Sequence, residues 1–343
     1  MKILVVGPSW VGDMVMSQSL LMRLKADHPE AEIDVLAPNW CRPILARMPQ
    51  VSQAIAMPIG HGALQWNVRK QLANSLVARQ YQQSIVLPNS LKSALVPWMA
   101  KIPKRTGWRG EMRYGLVNDM RNLETAAFPL MVQRYIALAE DAPRSAVDLK
   151  PIITPVLDVD QEQQAAVFKR FSLANEDRQL VAFCPGAEFG PAKRWPHFHF
   201  ATLAAQLIDS GRQIVCLGSA KDTAAIQQIK DLLSADQLRS FVDVSGQTTL
   251  TEAVDILANC SAIISNDSGL MHIGAAVNTP MIALYGPTSP DFTPPLSDNA
   301  QVIRLIEGYI KLRKGNAEQG YHQSMIDIQP ELVFERLQSM VTV

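Results

Sequence analysis

Ala262-Ile263-Ile264-Ser265-Asn266-Asp267-Ser268-Gly269-Leu270-Met271-His272-Ile273-Gly274-Ala275-Ala276-Val277-Asn278-Thr279-Pro280-Met281-Ile282-Ala283-Leu284-Tyr285 carries the fold in miniature. Residues 262–265 read as a short buried strand, 269–277 as a helix opening straight after Asn-Asp-Ser-Gly, and 280–285 as a second buried strand. Strands written as apolar runs with a helix between them form the crossover unit of a parallel sheet covered on both faces. The alternation continues upstream, with strands at 180–184, 213–217 and 241–244 and helices at 200–210, 220–233 and 250–259. A separate series starts at the N-terminus, with strands at 2–6, 33–36, 54–57 and 84–87 and helices at 14–25, 64–79 and 91–100. Between the two lies 141–160, rich in proline and polar residues (Pro143, Pro151, Pro155), which reads as a linker. The expected fold class is α/β: two doubly wound domains facing a cleft, with ligands beyond the carboxyl ends of the strands. The expected boundaries are 1–155, 156–325 and 326–343, the last carrying a helix at 330–340 that would pack back on the first domain.

Length and composition suit this division. The 343 residues are 48% apolar and 19% charged, a globular balance with ample core material. Lysine plus arginine and aspartate plus glutamate both total 32, so nothing in the overall charge suggests a nucleic-acid binder. No apolar run approaches the roughly 20 residues of a membrane span, and the N-terminal apolar run is too short for a signal peptide before Pro8, Gly12 and Asp13 interrupt it. Cys41, Cys184, Cys216 and Cys260 are far apart and mostly set in apolar stretches, as reduced core cysteines of a cytosolic protein would be. The six histidines are scattered, and no metal site is expected.

Five loops at strand ends stand out. Gly7-Pro8-Ser9-Trp10-Val11-Gly12-Asp13 ends the first strand. It lacks the G-x-G of a dinucleotide fingerprint. It opens like a P-loop, but Asp13-Met14 stands where Lys-Ser/Thr would hold a triphosphate, and a carboxylate repels phosphates. Asp13 reads either as a helix cap or as a general base for a substrate hydroxyl. Pro185 to Pro196 exposes glycine N–H groups beside the point charge of Lys193, a loop type that binds diphosphates, although a solvated turn would look similar. Gly218 and Asp222 end the next strand, where an acid can accept from ribose hydroxyls or simply favour a helix start. In Ser265 to His272, Ser268 and Gly269 open a helix whose unpaired N–H groups attract phosphate. Asp267 is better suited to sugar hydroxyls, and His272 is either a donor contact or a core residue. Tyr285-Gly286-Pro287-Thr288 turns at the end of the following strand.

In this order, G-x-x-x-x-G-D, K-x-W-P, S-N-D-S-G-x-M-H and Y-G-P-T resemble the bacterial ADP-heptose–lipopolysaccharide heptosyltransferases, over essentially the whole chain. The resemblance implies a GT-B fold of two Rossmann-like domains. It implies inverting transfer of L-glycero-D-manno-heptose from ADP-L-glycero-D-manno-heptose to the first heptose of a heptosyl-Kdo2-lipid A acceptor. It further implies a cytoplasmic enzyme with no obligatory cofactor, Mg2+ at most stimulating; peripheral contact with the cytoplasmic face of the inner membrane is expected from the basic stretch 92–121 with Trp98 and Met99. By position, the family's base falls on Asp13, next to Gly12 on the acceptor side. The diphosphate-binding lysine falls on Lys193, the aspartate of the last donor loop on Asp267, followed by Ser268 and Gly269, and the ribose acid on Asp222. The adenine side falls near Thr248 and Thr249. Gly186-Ala187-Glu188-Phe189-Gly190 replaces a hydroxyl-rich turn found in another member, which leaves Glu188 without an assigned role.

Between Lys92 and Arg121 seven basic residues face two acidic ones, a surplus of seven minus two, or five, in thirty residues. This reads as a solvated face or as a patch for an anionic acceptor, with Arg105, Arg109 and Arg113 as the expected contacts and Trp108 stacking on sugar. The alternatives are a member of the same family with a different acceptor and, from another class, a GT-B-fold nucleotide-sugar epimerase. A nicotinamide oxidoreductase or a non-catalytic sugar-binding protein fits less well.

Overall fold

The computed structural model describes residues 1–60, 62–173, 179–310 and 312–340. The chain forms two compact units, Met1–Val156 and Leu157–Val343. The first contains β1 (Lys2–Val6), α1 (Val11–Asp27), β2 (Glu32–Pro38), α2 (Arg42–Leu45), β3 (Gln53–Met57), α3 (Trp66–Val77), β4 (Gln83–Val86), α4 (Leu95–Met99), β5 (Lys104–Trp108), β6 (Asp119–Arg121) and α5 (Met131–Ile136). Its six strands are parallel in the order β3-β2-β1-β4-β5-β6. Ile3, Leu4 and Val5 of the central β1 are buried. Leu4 and Val6 join a cluster with Ala73 and Leu76 of α3 and Val96 of α4, and alternation leaves Ile3 and Val5 for the other face.

The second unit contains α6 (Gln161–Phe171), β7 (Leu180–Cys184), α7 (His197–Asp209), β8 (Gln213–Cys216), α8 (Thr223–Lys230), α9 (Ala235–Leu238), β9 (Phe241–Asp243), α10 (Leu250–Ala258), β10 (Ala262–Asn266), α11 (Gly269–Ala276), β11 (Met281–Leu284), β12 (Ala300–Ile303), α12 (Gln323–Ile326) and α13 (Pro330–Met340). The strands are again all parallel, in the order β12-β11-β10-β7-β8-β9, the same winding about the first strand of the unit. Val181, Phe183, Trp195, Phe200, Leu203 and Ile264 form the centre of its core. The last helix, α13, packs on α7 and β11 of this same unit, and its Val333 and Leu337 belong to that core.

The quoted β10–α11–β11 unit is present, and Gly274 shows how tightly it closes: a Cβ there would lie 2.6 Å from Ile263 and 2.7 Å from Met281. Two expectations change in the first unit. The helix read at 91–100 is a 3-10 turn over Leu91–Ala94 followed by the short α4. Pro97 has no N–H to return to the Ser93 carbonyl, and the Ser93 hydroxyl binds the carbonyls of Pro88 and Ser90, tightening the turn. The basic run also conceals β5 and β6.

Candidate active site

In each unit the strand order reverses at one place, between β1 and β4 in the first and between β7 and β10 in the second. Connections leave in opposite directions there, the place where sheets of this kind commonly hold a ligand.

In the first unit this place is a cavity of about 520 Å³, lined from the β1 loop by Gly7, Trp10 and Asp13 and from the β4 loop by Pro88, Asn89 and Lys92. Asp13 does not cap α1. The cap position is Trp10, and Asp13 lies in the first helical turn, where the helix dipole favours its carboxylate. Its Oδ1 accepts a hydrogen bond from the Tyr135 hydroxyl at 3.3 Å. Gly12 is buried in the same turn. Two half-exposed tryptophans stand beside the acid. The Trp40 indole N–H donates to the Ser9 carbonyl at 2.7 Å, and both Trp10 and Trp40 line the cavity. Sequence reading missed these two aromatics. The signal available was a tryptophan within three residues of the candidate base. Cys41 also lies near, its thiol pushed up to about 12 by burial and by the Asp13 charge, so it stays protonated. All four cysteines are buried free thiols.

The basic stretch divides by task. Arg113 is fully buried. Its guanidinium donates to the carbonyls of Pro88, at 2.7 Å, and Trp108, and to Asn89 Oδ1 at 3.3 Å. Arg105 donates to the carbonyls of Leu116, Ile102 and Gly115. Arg121 binds the carbonyls of Ala137 and Glu140. These three arginines therefore hold loops together from within. Arg109 is exposed. Trp108 is buried, with its indole N–H on the Arg134 carbonyl at 3.0 Å, although one edge reaches the cavity. Additional cations in the wall are Arg69, Lys92 and Arg134.

In the second unit the β7 and β10 loops are tied together. Asn266, fully buried at the end of β10, accepts from the Trp195 backbone N–H at 3.0 Å and donates to the Pro185 carbonyl at 2.8 Å. That clamp brings Lys193 to Asp267, Nζ to Oδ2 at 2.5 Å. Gly190 makes the turn possible: its φ is +145°, and a Cβ would lie 2.3 Å from the Arg313 carbonyl oxygen. Ser268 caps α11 without a side-chain hydrogen bond, and Gly269 is the first helical residue. His272 is buried on α11, its imidazole pushed down to about 4 by burial, with Lys193 acting in the same sense and Asp267 opposing. It is neutral at physiological pH.

The β8 and β9 loops join this group through the Gly246 N–H on the Gly218 carbonyl at 2.9 Å. The Asp222 carboxylate accepts from the Ser219 N–H and hydroxyl at 2.9 and 2.8 Å and meets Arg194 at 3.3 Å. Thr249 caps α10 in a box with Glu252, while Thr248 is partly exposed just before it. Glu188 pairs with Lys221 at 2.5 Å on the surface. Lys193, Gly218, Asp222, Thr248, Thr249, Asp267, Ser268, Gly269 and His272 thus all fall on loops or helix starts following strands of one sheet.

Two Rossmann-type sheets, each with polar loops at its reversal point, fit the GT-B fold, which glycosyltransferases and nucleotide-sugar epimerases share. The family model for glycosyltransferase family 9 (heptosyltransferase) matches residues 69–322, and the chain belongs to that family. It is 58% identical to the lipopolysaccharide heptosyltransferase 2 of Escherichia coli K12 and 55% identical to the lipooligosaccharide heptosyltransferase 2 of Haemophilus influenzae, with 99% of each chain covered in both cases. The solved structure of the E. coli ADP-heptose lps heptosyltransferase II superposes with a TM-score of 0.91 at 55% identity, covering 99% of this chain and 98% of that one. Membership decides between the transferase and epimerase readings in favour of the transferase.

Proposed function

We propose that this heptosyltransferase moves L-glycero-D-manno-heptose from ADP-L-glycero-D-manno-heptose to the first heptose of heptosyl-Kdo2-lipid A. The observation that carries the reading is Asp13, an acid in the first turn of α1 opening into a cavity large enough for a sugar. The names of relatives identical at more than half of all positions support the choice of donor and acceptor.

Inversion takes a single displacement. Asp13 accepts the proton of the acceptor hydroxyl as its oxygen bonds to C1. The C1–O bond to the diphosphate breaks and its electron pair leaves with ADP. Lys193 and the N–H groups at Ser268 and Gly269 offset the charge gathering there. Asp267 and His272 border the same loop and serve the heptose and diphosphate. Gly218, Asp222, Thr248 and Thr249 serve the nucleoside. Trp10 and Trp40 offer flat faces to the acceptor sugar, Gly12 lets it approach the backbone, and Arg109 meets its anionic groups. Arg105 and Arg113 act on the acceptor side by holding the loop that carries Arg109. The enzyme works in the cytoplasm against the inner leaflet, a reading supported by exposed Trp98, Met112 and Tyr114 in the basic stretch. Among the described residues no helix is long and apolar enough to cross a membrane.

The test is ADP release from ADP-heptose with purified acceptors. Release with single-heptose lipopolysaccharide, and not with the heptose-free form, is expected. Release only with the heptose-free acceptor would assign the chain to a member acting one step earlier. Arg109→Ala should raise the acceptor KM about tenfold, the worth of one charge-assisted hydrogen bond, while the donor KM stays fixed.

A further inference from the structure

Tyr135 reaches the candidate base from far along the chain. It sits on α5, which packs on α1, and is 5% exposed. A buried phenol needs a partner for its O–H, and this one donates to Asp13 Oδ1 at 3.3 Å. Both side chains line the first unit's cavity. The arrangement is that of a base with an orienting group behind it, the third element that activated residues commonly require.

We propose that Tyr135 is a positioning residue for Asp13: its hydroxyl holds Oδ1 and so orients the carboxylate that takes up the proton. This rests on Asp13 being the base. The proton passes from the acceptor hydroxyl to the Asp13 carboxylate as the new C1–O bond forms and the C1–O bond to the diphosphate breaks, and Tyr135 keeps its own proton throughout. Burial, with the Asp13 charge, pushes that phenol well above its ordinary value, so it acts as a donor and not as a relay. A hydrogen bond to the charged form favours ionisation. Tyr135 therefore also keeps Asp13 deprotonated towards lower pH. Other titratable or charged groups around this acid include Cys41, ahead of α2, and, in the cavity wall, Arg69 on α3, Lys92 on the 3-10 turn, Glu111 on a loop and Arg134 on α5. None of these is altered by removing one phenolic oxygen.

The experiment is Tyr135→Phe, which keeps the ring and its packing, compared with wild type and Asp13→Asn in steady-state kinetics across pH. Tyr135→Phe should lose about tenfold in kcat, leave ADP binding unchanged, and move the acid limb of kcat/KM upward by roughly half a unit to one unit. A full rate with an unmoved acid limb would overturn the proposal. So would a reduced rate with an unmoved limb, because a merely structural tyrosine would give that result. If Asp13→Asn is inactive while Tyr135→Phe behaves as wild type, the base stands and the positioning role falls. If Asp13→Asn turns over normally, the base assignment has failed first.

Discussion

Lys193 and Asp267 hold each other's charge with little solvent around either, at 17% and 7% side-chain exposure. An arriving diphosphate must share the lysine with the aspartate. Lys193→Met removes the anion's partner and leaves Asp267 buried and unpaired, which should cost about 3 kcal/mol, measured as a fall in the urea midpoint. Adding Asp267→Asn should restore most of that stability without restoring activity, separating the fold's use of the lysine from the donor's. His272 predicts a pH effect of definite sign. The unfolded chain takes up the proton near the ordinary value of about 6.5, whereas the folded imidazole resists until about 4. The contribution is therefore complete above the first value and is lost as pH falls towards the second, up to about 3 kcal/mol. His272→Gln should flatten the unfolding free energy over that window. Asp13 and Asp267 could be singled out as candidates because each follows a strand and precedes or opens a helix, and Lys193 because it lies in a glycine-rich loop after a strand. Tyr135 was not, because its partner lies 122 residues away and no local pattern records such a pairing. Arg105 and Arg113 read as surface charge, since sequence does not reveal that backbone carbonyls converge on them.

At the scale of elements, the central strands announced themselves as apolar runs, and their neighbours did not. Lys104–Trp108 forms β5 although it begins with two cations, because Thr106, Gly107 and Trp108 alone are buried. The edge strands β6 and β12 are three and four residues long and only partly buried, too brief for periodicity to register. The turn carrying Lys193 depends on one glycine. Gly190→Ala sets a Cβ against the backbone of Arg313 at a φ that L-residues avoid. It should displace the turn, cost about 1–3 kcal/mol, and raise the donor KM more than tenfold with the acceptor KM unchanged. Thr249→Ala should cost about 1 kcal/mol through the lost α10 cap, read from thermal unfolding. A larger fall in ADP affinity than in stability would place its hydroxyl on the nucleoside as well.

Across the whole molecule, neutrality conceals a division. Of the seven cations between Lys92 and Arg121, Arg105, Arg113 and Arg121 are committed to backbone carbonyls, so the exposed charge is smaller than the count. The loops proposed to hold the donor all follow strands of the second unit's own sheet. ADP at a hundredfold excess over its Kd should therefore stabilise residues 157–343 by about 2.7 kcal/mol. Hydrogen exchange should slow at 185–195, 218–222 and 267–272, with 7–13 unaffected. Since every strand in both sheets is parallel, the proposed chemistry falls at the carboxyl ends of the strands, and the amino ends carry turns without a proposed role. Gly211 turns the chain there, between α7 and β8, with a φ of +92° and open space where a side chain would begin. A fluorophore or affinity tag spliced in beside it would lie at the opposite end of that sheet from the loops at 185–195, 218–222 and 267–272, making that turn a natural handle for tethering the enzyme or watching it work.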